Sequence, residues 1–108
     1  MLSGYRIMWV LVMFDLPVLT PAERKRATGF RNYLLDEGFE MSQFSVYLRH
    51  TSSREKANAM GKRIIKRVPP AGKVSIIFFT DKQFGEIMSY YNCQPEPTKK
   101  NPDQYVLL

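Results

Sequence analysis

The chain has 108 residues, with sixteen Lys plus Arg against ten acids, a net charge of +6 and a pI near 9.6. That length suits one domain, large enough for a core but small for two layers plus a deep pocket. A single cysteine (Cys93) and a single histidine (His50) exclude an intrachain disulfide framework and a Cys/His zinc site, and fit a reducing cytoplasm. The longest apolar run, Ile7 to Phe14, is too short to cross a membrane and lacks the flanks of a signal peptide. Such a basic field attracts polyanions.

Residues 5–14 (YRIMWVLVMF) are apolar on both faces, the pattern of a central strand covered on both sides. Thr20 as N-cap, Pro21 at the first helical position and Glu23 closing a capping box predict a helix. Ala27, Phe30 and Leu34 recur along it at helical spacing, and Gly38 supplies the stop. From Met41 to His50 the pattern alternates, placing Phe44, Val46 and Leu48 on one side and Gln43, Ser45, Tyr47 and Arg49 on the other. Ser52 with Glu55 reads as a second capping box, Ala57, Met60 and Ile64 as a second stripe, and Pro69-Pro70 as its end. Residues 74–79 (VSIIFF) predict another buried strand, and Thr80 with Gln83 caps a third helix carrying Phe84, Ile87, Met88 and Tyr91. Residues 94–103 are polar and proline-rich, a linker by composition, and lead to a short strand at 105–108. The division expected is therefore a domain at 1–93 and a linker plus strand at 94–108. The element order suggests an α+β or α/β sandwich.

Charged residues carry the candidate chemistry. Asp15 stands where a buried strand opens into a loop, the position of a ligand in open sheets, yet Asp-x-Pro is also ordinary turn chemistry. Arg24, Lys25 and Arg26 lie near a helix start, where cations oppose the macrodipole by roughly 0.3–1 kcal/mol each. Arg24 and Arg31 share one flank of the first helix. Lys56, Arg63 and Arg67 line one side of the second, with Lys62 and Lys66 nearby. Two basic flanks suit a phosphate backbone, and suit a solvated face as well. An RNA-recognition module is a weaker reading, because residues 74–79 hold Phe78-Phe79 but no Gly-aromatic motif.

A further pattern runs from the strand ending Phe14-Asp15-Leu16-Pro17 through Glu23-Arg24-Lys25-Arg26, Leu34-Leu35 and Gly38-Phe39. It continues in Gln43-Phe44-Ser45-Val46-Tyr47 and Lys82-Gln83-Phe84. In that order it resembles the second of the CRISPR-associated adaptation proteins, in the variant accompanying single-protein effector systems. The resemblance implies a ferredoxin-like βαββαβ sandwich, which needs the segment 39–50 to split near Ser42–Gln43, with an extra C-terminal helix and a short C-terminal strand. It implies a homodimer with sheets face to face, Tyr105, Val106 and Leu107 pairing with the partner's sheet, and Gln43, Ser45 and Tyr47 in the dimer region. It also implies an endonuclease dependent on Mg²⁺ or Mn²⁺ with Asp15 as metal ligand and catalytic residue. The partners it implies are duplex DNA and integrase dimers in spacer acquisition, with single-stranded RNA as an alternative nuclease substrate and no membrane. A stand-alone endoribonuclease of the toxin kind is the competing function. No histidine or lysine lies near Asp15 in sequence to serve as a general base.

Overall fold

The computed structural model of the chain describes residues 6–97. Its elements in chain order are β1 (Met8–Asp15), α1 (Pro21–Asp36), β2 (Glu40–Gln43), β3 (Val46–Thr51), α2 (Arg54–Ile65) and β4 (Lys73–Thr80). A short α3 (Asp81–Gly85) and a hairpin of β5 (Tyr90–Tyr91) and β6 (Gln94–Pro95) follow. The four long strands form one antiparallel sheet in the order β2-β3-β1-β4. With both long helices packed on one side, this is the expected ferredoxin-like arrangement. Among the described residues, no helix is long and apolar enough to cross a membrane.

Local chemistry explains where the helices begin. Thr20 Oγ1 accepts from the Glu23 amide at 3.1 Å while Glu23 Oε1 accepts from the Thr20 amide at 2.9 Å, closing the box on α1. Thr80 and Gln83 repeat it on α3, with the same two distances. α2 starts one residue later than the sequence pattern suggests. Its N-cap is Ser53, whose hydroxyl accepts from the Lys56 amide at 3.2 Å. The buried Thr51 hydroxyl sets this frame by bonding the carbonyl oxygens of Met8 and Ser53.

The core lies between sheet and helices. Met8, Val10 and Val12 of β1 meet Phe30 and Leu34 of α1 and Ala57, Met60 and Ile64 of α2. Each of these side chains except the small Ala57 contributes about 1.5–3 kcal/mol on full burial. Gly61 marks the closest approach of α2 to the sheet, since a Cβ there would stand 2.8 Å from the Phe78 ring.

Several expectations need correcting. β1 is covered on both sides only in part: Met8, Val10 and Val12 are buried, whereas Leu11 is half-buried and Met13 is 42% exposed. The alternation expected along 41–50 holds for Val46 and Leu48 against Tyr47 and Arg49, but Gln43 pairs with Val46 and so joins that face and not the face of Tyr47. The chain turns at Phe44-Ser45, with Ser45 at φ 62°, and this break changes the parity. Tyr47 is therefore a core residue, 2% exposed, stacked on Phe14 with ring centroids 5.7 Å apart. Phe44 sits at the turn, 91% exposed. β4 is an edge strand with Ile77 and Phe78 exposed, not a buried one. The third helix ends at Gly85, so Ile87, Met88 and Tyr91 lie beyond it on exposed backbone. Gln94 and Pro95, expected in the linker, form β6. The proposed strand at 105–108, including Tyr105, Val106 and Leu107, lies outside the described residues.

Candidate functional site

Register builds the site. In an antiparallel pair, residues directly opposite share a face. On the side of the sheet away from α1 and α2, Trp9 therefore lines up with His50 and Phe79, then Leu11 with Leu48 and Ile77, then Met13 with Val46 and Ser75. Asp15 comes last, opposite Lys73. The face thus grades from aromatic through aliphatic to charged.

Each end of this face is fixed differently. At the aromatic end, α3 folds over the sheet: Phe84 stacks on Trp9 with centroids 3.8 Å apart, and the Trp9 indole donates to Asp81 Oδ1 at 2.8 Å. A cleft of about 330 Å³ opens between this end and the C-terminal hairpin, lined by Leu48, Phe84, Ile87 and Pro97 among others. At the charged end, the Phe14 amide donates to the Ser45 carbonyl at 3.1 Å, which ties the β2–β3 turn beside Asp15. On the other flank, Gly72 takes φ +92°, and a Cβ there would lie 2.6 Å from the Asp15 carbonyl oxygen. Only glycine allows both the conformation and that approach.

Asp15 is exposed. Among the described residues, no group of three or more His, Cys, Asp and Glu side chains is placed to hold a metal ion. One chain presents one carboxylate at this edge. That donor set fits an open magnesium site completed by water and phosphate oxygens, and does not form a closed protein cage. Gln43 stands on the same face opposite Val46, Ser45 supplies the turn carbonyl, and Tyr47 points into the core.

All nine cations singled out in the sequence are exposed, but they are not equivalent. Arg24 folds back to donate to the carbonyls of Val18 and Leu19 at 3.1 and 3.3 Å. Arg63 Nε donates to Glu37 Oε2 at 2.8 Å, the Tyr33 hydroxyl donates to the same oxygen at 2.9 Å, and the Arg67 guanidinium lies 4.6 Å above the Tyr33 ring. Arg49 adds a hydrogen bond to the Glu37 carbonyl. The Arg63 hydrogen bond holds the Glu37 carboxyl below its ordinary range, against the opposing effect of burial. Burial, then the bond to Glu37, pushes the Tyr33 phenol up. Lys25, Arg26, Arg31, Lys56, Lys62 and Lys66 make no side-chain hydrogen bond or ion pair with the described residues and form the available basic surface.

Sequence reasoning missed Lys73. Its signal is the pairing of two strands far apart in the chain, which no local spacing reveals.

Comparison with known proteins then bears on this geometry. The family described as CRISPR associated protein Cas2 matches residues 8–87. The chain is 53% identical over 108 residues, the whole of both chains, to a protein of Paracidovorax avenae named CRISPR-associated endoribonuclease Cas2. A protein of the same name from Flavobacterium psychrophilum is 47% identical over 99% of this chain and 93% of its own. Another, from Parvibaculum lavamentivorans, is 46% identical over 94% of this chain and 100% of its own.

Proposed function

The chain belongs to the CRISPR associated protein Cas2 family, and from that premise we propose that it is a nucleic-acid-binding homodimer of spacer acquisition with an Asp15-centred endonuclease site. The observation that carries this reading is the graded sheet face. An apolar surface left uncovered by α1 and α2, and capped by α3 only at its aromatic end, runs to an exposed carboxylate. Packing a second copy on that face removes Leu11, Met13, Leu48 and Ile77 from water and brings a second Asp15 to the same edge. The pair then supplies the two carboxylates that magnesium commonly takes from protein. Bound there, the ion would polarise the phosphodiester and favour hydroxide over water.

The chain's own residues do the rest. Asp15 orients the attacking water at the strand end; the Ser45 carbonyl, accepting from the Phe14 amide, ties the residue before it, and Gly72 leaves room for its carbonyl. Water oxygen adds to phosphorus as the P–O bond to the leaving group breaks. One proton passes from the water to solvent, and one returns to the leaving alkoxide. Away from the edge, Lys25, Arg26, Arg31, Lys62 and Lys66 contact duplex phosphates, so affinity depends on salt and little on sequence. Doubled by the dimer, this surface suits a scaffold for duplex DNA between integrase dimers in the cytoplasm, and scaffolding is the main role.

One experiment separates scaffold from enzyme. Asp15→Asn is expected to abolish Mg²⁺-dependent cleavage while preserving duplex binding and spacer acquisition at matched protein levels. Replacing Lys25, Arg26 and Arg31 by Ala is expected to flatten log K against log salt by about 0.9 per lost phosphate contact. Acquisition that collapses in the Asp15 variant with DNA binding intact would make catalysis the function. A second reading, a stand-alone endoribonuclease, is favoured by the names of the relatives. It requires cleavage of single-stranded RNA without integrase.

A further inference from the structure

The fold alone brings Lys73 to Asp15. The two open β4 and close β1 as register partners, which sets their Cα atoms about 4.5–5.5 Å apart with side chains on one face. Both are exposed, and no ion pair or hydrogen bond joins them. The ammonium is therefore not consumed by the carboxylate beside it. The preceding row, Met13, Val46 and Ser75, offers no charge of its own. Gly72, pressed against the Asp15 carbonyl, fixes the backbone immediately before Lys73.

We propose that Lys73 is the phosphate-binding residue of the Asp15 site, its ammonium donating to a non-bridging oxygen of the phosphodiester. The inference rests on the nuclease reading of Asp15 and adds what that reading lacks. A carboxylate alone repels a phosphodiester and repels the transition state more, since charge accumulates on the equatorial oxygens. A cation directly across the strand pair shares the face of the carboxylate and offsets that repulsion. Lys73 stays protonated throughout and moves no proton; it selects for phosphate and for the transition state. The surface cations of α1 and α2 bind backbone at a distance from the bond that breaks.

The test uses the full-length protein with Mg²⁺ and, in parallel, with EDTA. A labelled single-stranded RNA and a duplex DNA serve as probes. Lys73→Ala is expected to lower kcat by about a hundredfold without changing thermal midpoint or oligomeric state, and Lys73→Arg to restore most of the rate. In EDTA, Lys73→Ala should weaken binding of the cleaved probe and reduce its salt slope by about one contact. Lys73→Ala that cleaves like wild type while Asp15→Asn is inactive overturns the assignment and leaves the Asp15 reading standing. Arginine that fails to rescue, or a Lys73→Ala variant whose only change is aggregation, also overturns it. Wild-type protein that cleaves neither probe, or Asp15→Asn that cleaves both normally, removes the nuclease reading and this inference with it.

Discussion

Val12 and Met13 are neighbours in β1, both apolar, and they meet opposite fates. Val12 is sealed beneath α1 and α2, and Met13 faces away from every long helix. The two faces of the sheet repeat that contrast along their length. Hydrophobicity in a strand tells how many of its faces are to be covered; it does not tell what covers them. One face is covered by the chain itself. On our reading, the other is covered by a second copy.

Substitution on each face breaks or sharpens the contrast. Val12→Asp buries an unpaired charge and is expected to abolish folding in circular dichroism, whereas Ile77→Asp, at a site 41% exposed, should fold and sediment as a monomer. If Ile77→Asp unfolds like Val12→Asp, or leaves a dimer at micromolar concentration, the open face is not the interface. At the charged end, Gly72→Ala puts a Cβ on a backbone held at φ +92° and against the Asp15 carbonyl. It is expected to cost about 1–3 kcal/mol in denaturant melts and to remove cleavage along with it.

The smallest effect expected is on the helix side. Glu37 has a depressed folded pKa, so its contribution is complete above the unfolded value of 4.5 and is lost as pH falls through the lower folded one. The Arg63 partner is half exposed, which limits that contribution to about 1 kcal/mol or less. The gap in melting temperature between wild type and Glu37→Gln should therefore persist at neutral pH and close below about pH 4.5. A gap unchanged at acid pH would show that the carboxylate charge is not what holds the helices there.

Capping boxes were legible in the sequence because they are local: Thr20 with Glu23, and Thr80 with Gln83, need nothing from the rest of the chain. Parity was not legible past Phe44. A turn containing one residue at positive φ exchanges the faces downstream, so Tyr47 reads as surface and is core. α3 misled in a similar way, since Ile87 and Met88 continue its apolar stripe although the helix stops at Gly85. Asp15 could be found from its place at a strand end, but Lys73 needed the sheet. The inequality of the cations needed it too, because Glu37 reaches Arg63 across two helices.

The Trp9–Asp81 hydrogen bond has a consequence for alignment. A slip of β1 by one residue would exchange Val10, Val12 and Phe14 for Leu11, Met13 and Asp15 under the helices. Most of that exchange is apolar for apolar, so oiliness barely opposes it. The indole does oppose it. Asp81 is 0% exposed, and a shifted strand would set Met8 or Val10, neither of which donates from its side chain, where Trp9 now stands. Loss of one donor to a buried carboxylate costs about 1–3 kcal/mol or more. The bond thus acts as an index pin, and the position of Asp15 at the opposite end of the strand is set from it.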